Sequence, residues 1–501
     1  MKKLLLIFAI FAIIGITLTG CPGDVCEYCG EDPCVCPDCP NCHEKPANCT
    51  CPDCDGCGNK PAFCVCCPDC NQYPCVCPCD VCDQFPCVCV PLDPAVIAMD
   101  NADFGSGATV TERLNITSKA ELLAFFDRTT LNAGNYVLNI TTTSINLGTD
   151  KLILAISSGT GRNISIRGSM STTTISQTNA STDTPGNSIL RVEKGEKVIL
   201  RSVTLDGNTK DSVVHVRGAG SSLVIQDNNV TIKNGFPGVI VTGGTLTMNN
   251  GRIADSSTGV VIVDGGTFSM AGGSIASNEM GVYVTNQYDS GAGNSVFTMS
   301  GGTIQGNSDH GVYLGNFMAS DDAKDSTDTY TFTMTGGNIY NNDRCGVILW
   351  NNSTFTMTGG FIYSNGDQGV HIGASTSTNM DGTFIMNNGN ITTNGGSGVL
   401  IEGGSFTMSG GTISGNEGEF GGVSAAWFED NPRAISFEKK ATGGTIIGNG
   451  DTGANLNFAV NGYTEKDETE ITRTTTVATN EALTVTIALD GTMTNTGTWD
   501  N

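Results

Sequence analysis

Residues 267–284 read TFSMAGGSIASNEMGVYV, and residues 405–423 repeat the pattern as SFTMSGGTISGNEGEFGGV. Seven such copies lie between Thr245 and Gly422, and in each of them an Ile follows a Met by five residues, with no insertion between the two. Repeats of this length, with short strands, Gly-Gly turns and no helical period, are typical of a β-solenoid. The pairs are Met248–Ile253, Met270–Ile275, Met299–Ile304, Met334–Ile339, Met357–Ile362, Met386–Ile391 and Met408–Ile413.

Each repeat predicts one coil of three short strands. In the first copy quoted, Phe268 and Met270 share one face of the first strand, Ile275 lies in the second, and Val282 and Val284 lie in the third. These side chains should point inward, and successive coils should pair in parallel about 4.8 Å apart. An Asn three residues after most of the Ile residues predicts a stacked, inward ladder of amides. Its members are Asn278, Asn307, Asn342, Asn365, Asn394 and Asn416, with Asn449 in a later copy.

The repeat resembles the GG-T-F-x-M-x-G-G-x-I-x-x-N pattern of bacterial surface and secreted proteins. Those proteins are right-handed parallel β-helices of the pectin-lyase-like superfamily, and the resemblance implies the same all-β fold, including its handedness. We therefore expect a parallel β-helix over residues 118–465. Cap strands should follow over residues 466–501, where Leu483, Val485, Ile487 and Leu489 alternate with polar residues.

A capping box at Ser118–Glu121 precedes Leu122, Leu123, Phe125 and Phe126, and predicts the one convincing helix of the chain. An amphipathic helix in front of a solenoid is expected to cover its first open edge. Residues 91–117 are then a linker and the start of this cap.

The N-terminus has the features of a targeting segment over residues 1–20. Lys2 and Lys3 precede an apolar run, and the run ends in Leu18-Thr19-Gly20-Cys21. This resembles the bacterial lipoprotein box, which implies acylation at Cys21 and a lipid bilayer as a partner. The protein would then be anchored in the bacterial cell envelope, on the periplasmic or the cell-surface side. The alternative is an ordinary signal peptide followed by the first Cys of a cluster.

Residues 21–90 contain a cysteine-rich repeat that is expected to form a stalk. It comprises five units of the form C-x2-C, a spacer of four or six residues, and C-x-C. Each unit suits two disulfides, the default outside the cytoplasm, or one tetrahedral ion such as Zn²⁺. A flexible, unpaired tether is the third possibility. The cysteines are Cys26, Cys29, Cys34, Cys36, Cys39, Cys42, Cys49, Cys51, Cys54, Cys57, Cys64, Cys66, Cys67, Cys70, Cys75, Cys77, Cys79, Cys82, Cys87 and Cys89.

The outward residues of the third strand form a candidate ligand face. It includes Tyr283, Tyr313 and His371, and a polar insertion next to it carries Asp321 and Asp322. The face could bind a polysaccharide or a surface protein, or the insertions could fold over it. A net charge of −25 argues against a nucleic-acid partner.

The resemblance also indicates what an enzyme of this superfamily would need. Asp321-Asp322 and Asp309-His310-Gly311 partly match hydrolase motifs, but Asn-Thr-Asp and Arg-Ile-Lys elements are absent. Cys345 is interpreted as a small, half-buried side chain. We expect a non-catalytic binding or adhesion protein with no certain cofactor. The alternatives are a polysaccharide lyase or hydrolase, and metal binding by the stalk.

Overall fold

The structure is a computed structural model. It describes residues 93–154, 161–169, 173–178, 188–207, 211–286, 293–315, 328–373, 382–417, 421–428, 432–441, 443–450, 456–461 and 482–496. The chain divides into two compact units, Met1–Met99 and Asp100–Asn501. The predicted signal segment, the acylated Cys21 and the twenty stalk cysteines lie outside the described residues.

The second unit is a parallel β-helix of three sheets, as predicted. Each regular coil contributes one strand to sheet 1, then one to sheet 2, then one to sheet 3. Among the described residues, sheet 1 has fifteen strands. They are Glu112–Ile116, Gly134–Ile140, Arg162–Gly168, Lys197–Arg201, Ser222–Ile225, Thr245–Met248, Thr267–Met270, Ser295–Met299, Tyr330–Met334, Ser353–Met357, Thr383–Met386, Gly404–Met408, Ile435–Lys439, Leu483–Ile487 and Met493–Thr496.

Sheets 2 and 3 have twelve and eleven strands in the same described part of the chain. Sheet 2 comprises Ser144–Asn146, Thr174–Ser176, Thr204–Asp206, Thr231–Lys233, Arg252–Ala254, Ser274–Ala276, Thr303–Gln305, Asn338–Tyr340, Phe361–Tyr363, Asn390–Thr392, Thr412–Ser414 and Thr445–Ile447. Sheet 3 comprises Leu190–Val192, Val214–Arg217, Val239–Thr242, Thr258–Val263, Met280–Val284, Val312–Leu314, Val347–Leu349, Val370–Ile372, Val399–Ile401, Val423–Phe428 and Leu456–Asn461.

The repeat residues form continuous buried columns. The seven Met residues pair in register from each coil to the next, from Met248 to Met408, and the seven Ile residues do the same from Ile253 to Ile413. All fourteen side chains are buried, which confirms the predicted register. A third column consists of stacked Phe rings with centroids 4.5–5.3 Å apart. Its members are Phe268, Phe297, Phe332, Phe355, Phe384, Phe406 and Phe437.

The predicted Asn ladder is also present and is buried along its length. The side-chain amide of Asn307 donates to Oδ1 of Asn342 at 2.8 Å, and Asn342 donates to Asn365 at 2.8 Å. Each Oδ1 also accepts a backbone N–H of the preceding coil, as Asn365 does from Asn342 at 3.2 Å. The ladder therefore satisfies polar groups that the turns would otherwise leave unpaired inside the core.

The predicted cap helix is α2 in chain order and spans Lys119–Phe126. Oγ of Ser118 accepts the backbone N–H of Glu121 at 3.3 Å, as the capping box predicts. Leu122, Phe125 and Phe126 are buried in the core. At the other end of sheet 1, Leu483–Ile487 pairs antiparallel with Ile435–Lys439, whereas Leu489 lies beyond that strand and is exposed.

Residues 93–117, in the region predicted as a linker and the start of the cap, contain a helix and a strand. Helix α1 spans Pro94–Phe104, and the strand Glu112–Ile116 already belongs to sheet 1. The helix was missed because its sequence, PAVIAMDNADF, has no amphipathic period. Its described buried residues are polar, namely Asp100 and Asp103.

Those two carboxylates are buried because they pair with arginines of sheet 1. Nη2 of Arg167 lies 2.8 Å from Oδ2 of Asp103 and 2.9 Å from Oδ1 of Asp100, and Nε of Arg201 lies 2.6 Å from Oδ1 of Asp103. Arg113 also pairs with Asp100. We call this group the arginine clamp. It fixes the C-terminal half of α1 against the early coils.

Candidate functional site

On the predicted ligand face of sheet 3, the two tyrosines are covered, which is the second of the two alternatives that the sequence left open. Tyr283 is 7% exposed and Tyr313 is 5% exposed. Their rings meet edge to face with centroids 5.1 Å apart. Together with Val261, Val263 and Ile348 they form a second hydrophobic cluster outside the main core. Burial raises the pKa of the Tyr313 hydroxyl well above its usual range. Strand alternation directs these side chains outward, but apolar neighbours on adjacent coils bury them.

His371 occupies a more accessible position on the same face. Its Nε2 lies 3.0 Å from Oε2 of Glu402, one coil further on, and both side chains are partly exposed. The indole of Trp350 lies on the other side, with its ring centroid 6.4 Å from that of His371. Gly373 makes room for this indole, because a Cβ there would come within 3.1 Å of three ring atoms of Trp350. The result is a histidine–carboxylate pair beside an aromatic ring.

His310 and Cys345 lie together in the turn before sheet 3, a pairing that the sequence analysis did not anticipate. Nδ1 of His310 accepts the backbone N–H of Cys345 at 3.2 Å, while the thiol donates to Oε1 of Gln368 at 3.2 Å. His310 is buried, and burial lowers its pKa. Burial raises the pKa of the Cys345 thiol to about 12, so it stays protonated and is a poor nucleophile. His310 is thus a buried histidine.

No metal site is found in the part of the chain that the structure describes. There, no group of three or more His, Cys, Asp or Glu side chains could hold an ion. The insertion with Asp321 and Asp322 lies outside the described residues, as do the cysteine units for which Zn²⁺ was considered.

Sequence analysis missed an aromatic group on the outer face of sheet 2. The strands of this sheet bury their middle residue, Leu205 in one of them and an Ile in the others, so the residues before and after it point outward. The signal is present in the sequence as Asn338-Ile339-Tyr340 and Phe361-Ile362-Tyr363. It was overlooked because the buried Ile column, rather than its flanks, defines the repeat.

These outward residues form what we call the sheet 2 platform. The rings of Tyr340 and Tyr363 stack with centroids 4.8 Å apart and an interplanar angle of 3°. Phe361 is 48% exposed, one of four large hydrophobic residues with such exposure in the described ranges. Side-chain amides on the neighbouring strands flank the rings in register. None of the outward residues of the four strands that carry the rings and these amides is charged. The platform comprises Gln305, Asn338, Tyr340, Phe361, Tyr363 and Asn390.

Comparison with known proteins gives a distant likeness to a solved structure. No family model matches the chain, and no curated protein matches it. Among solved structures, the periplasmic alginate epimerase AlgG is similar over 66% of this chain and 85% of its own, with 12% sequence identity and a TM-score of 0.30. No helix in the described residues is long and apolar enough to cross a membrane.

Proposed function

We propose that this protein is a non-catalytic binding protein of the bacterial cell envelope, and that its ligand is an uncharged glycan. The sheet 2 platform is the observation that carries the proposal. It joins exposed aromatic surface with amide and hydroxyl groups on a rigid sheet, and it lacks charge. The predicted face on sheet 3 is not part of this proposal, because Tyr283 and Tyr313 are buried.

The chemistry of the platform suits a sugar chain better than a charged ligand. Sugar rings have apolar C–H faces that pack on aromatic side chains, and a rim of hydroxyls that amides can both donate to and accept from. Gln305, Asn338 and Asn390 provide such amides beside Phe361. Because the platform lies on strands paired about 4.8 Å apart, its contacts repeat over a distance close to one sugar residue.

The location rests on the sequence alone. The Leu18–Cys21 motif supports a lipid anchor at Cys21, and such an anchor would hold the β-helix outside the cytoplasm. The five cysteine units would then form the spacer, cross-linked by disulfides or by Zn²⁺. Metal analysis of the purified protein under reducing and oxidising conditions distinguishes these two cross-links.

A glycan array with the full-length protein tests the binding function. We expect Phe361→Ala and the pair Tyr340→Ala/Tyr363→Ala to abolish retention on neutral glycans. The matched control is Ile447→Ser, which removes another exposed apolar side chain, 54% exposed, from the same sheet outside the platform. It should bind like the parent. If the parent binds no glycan, or binds only proteins through the same residues, the glycan assignment is wrong.

The pair His371–Glu402 supports a second candidate, a polysaccharide-active enzyme. A histidine 3.0 Å from a carboxylate, partly exposed beside Trp350, could accept a proton from a substrate. Incubation with neutral and acidic polysaccharides, followed by analysis for new chain ends, tests this role. Product formation that His371→Ala abolishes would replace the non-catalytic proposal.

A further inference from the structure

The outer face of sheet 1 is unusually uniform. Over seven consecutive coils its outward residues form two ranks, each continuous from coil to coil. We call this surface the threonine face, and twelve of its fourteen residues carry a hydroxyl. One rank is Thr245, Thr267, Val296, Thr331, Thr354, Thr383 and Ser405; the other is Thr247, Ser269, Thr298, Thr333, Thr356, Ile385 and Thr407.

None of these fourteen residues is charged, although the protein has a net charge of −25 and 75 Asp, Glu, Lys and Arg residues in total (50 + 25). All fourteen are half-buried. Outward positions of β-strands readily accept charged residues, as Glu438 shows one coil further on. A neutral surface that repeats in register over seven coils therefore suits a partner that is itself periodic and uncharged.

The hydroxyls at the centre of the face are available to such a partner. Within the described residues, Thr331, Thr333, Thr354 and Thr356 donate no side-chain hydrogen bond to the protein. Thr298 differs, because its Oγ1 donates to the carbonyl of Phe268 at 3.4 Å. Threonine side chains in strands are stiff at χ1, so the array loses little conformational entropy on binding.

We propose that the threonine face binds ice. Neighbouring coils are spaced about 4.8 Å apart, and the two ranks, two residues apart along a strand, lie roughly 6.6–6.8 Å apart. Both distances are close to repeat distances between water oxygens on a prism face of hexagonal ice. Hydroxyls at these positions can hydrogen-bond to lattice waters, while the Thr methyl groups exclude disordered water between them. No aromatic residue is present on this face, which favours ice over a sugar chain.

Partition of the full-length protein into slowly growing ice tests the proposal. We expect the parent to enter the ice, and Thr333→Lys/Thr356→Lys to stay in the liquid, because charged ammonium groups disrupt the neutral array. The matched control is Thr412→Lys/Thr445→Lys, a register pair on the outer face of sheet 2. It should enter ice as the parent does. Thr356→Tyr, which raises a ring above the face, provides a second variant, and melting curves verify folding of each.

The contrary outcomes are equally clear. A parent protein that stays in the liquid overturns the proposal, and so does equal entry into ice by the parent and both face variants. Two other results would assign the face to a different partner, provided that the parent does not enter ice. If the face variants no longer adsorb to an insoluble neutral polysaccharide, the partner is that polysaccharide. If they lose a dimer that the parent forms in sedimentation, the partner is a second copy of the chain. Phe361→Ala changes the sheet 2 platform and not the threonine face. The glycan proposal can therefore fail without affecting the outcome of the ice test.

Discussion

The rings of Tyr340 and Tyr363 stack in parallel at 4.8 Å, although neither belongs to the hydrophobic core. The distance equals the spacing of parallel coils, because the two residues are register partners. Stacking covers one face of each ring, and both residues are half-buried. It also preorganises the platform, since each ring restricts the other.

A double-mutant cycle with Tyr340→Ala and Tyr363→Ala measures this restriction. We expect a coupling free energy of about 0.5–1.5 kcal/mol in denaturant unfolding, the usual value for an aromatic pair. The cycle formed with Tyr340→Ala and Ile447→Ser, which are not register partners, should show no coupling. Additivity of the two tyrosine variants would contradict a preorganised pair.

Replacing Ile304 by Asp should lower the free energy of unfolding by roughly 3–5 kcal/mol, because it places an unpaired carboxylate in a fully buried column. Thr303→Asp is the matched control, since Thr303 precedes Ile304 in the same strand and points outward. It should cost less than about 1 kcal/mol in the same measurement. Equal melting temperatures for the two variants would show that the register is wrong.

Removing one amide from the Asn ladder should lower the free energy of unfolding, because both neighbouring Asn residues lose a hydrogen bond. In Asn342→Ala, the amide of Asn307 loses its acceptor and the carbonyl oxygen of Asn365 loses a donor, both inside the core. We expect a loss of about 2 kcal/mol in denaturant unfolding. Asn387→Ala, at an exposed turn position, should leave stability nearly unchanged. A loss no larger than that of this control would mean that the ladder does not stabilise the coils.

The arginine clamp should respond strongly to loss of one carboxylate. Asp103→Ala removes the carboxylate that pairs with both Arg167 and Arg201 and leaves the buried Arg167 with Asp100 alone, so we expect it to cost roughly 3–5 kcal/mol. Asp150→Ala removes an exposed partner of Lys119 and should cost less than about 1 kcal/mol. Hydrogen exchange should show faster exchange in residues 100–104 for Asp103→Ala only. Unchanged exchange there would exclude the clamp as the anchor of α1.

Stability should depend on pH through Glu196. Burial raises its pKa to about 7 and outweighs the attraction of Arg162, whose Nη2 lies 3.9 Å away. Because the folded protein binds this proton more tightly than the unfolded chain, Glu196 stabilises the folded state. This stabilisation is fully present below the unfolded pKa of 4.5 and is lost as pH rises through about 7. We expect the free energy of unfolding to fall by roughly 2–3 kcal/mol between these limits.

Urea unfolding at pH 4, 6 and 8 measures this dependence. Glu196→Gln, which is neutral at every pH, should remove most of it, whereas Glu279→Gln at an exposed position should retain it. A parent whose stability is the same at pH 4 and pH 8 would show that folding does not raise the pKa of Glu196.

The sequence by itself determined the coil. Met248, Ile253 and their counterparts recur at fixed spacing because inward side chains must fill the same volume in every coil. Asn278 and its counterparts recur because a buried turn needs the same polar partner each time. Local repetition therefore predicted the three sheets, the register and the ladder, and the capping box at Ser118 predicted α2.

Only the tertiary structure decided what lies outside the coil. Alternation shows that Tyr283 and Tyr313 leave the core, but not that neighbouring groups bury them. The clamp joins Asp103 to Arg167 and Arg201, residues 64 and 98 positions later, and no local pattern relates them. Outward surfaces such as the sheet 2 platform are assembled from residues a full coil apart. Their exposure depends on what packs over each face, which is a property of the folded molecule and not of any one repeat.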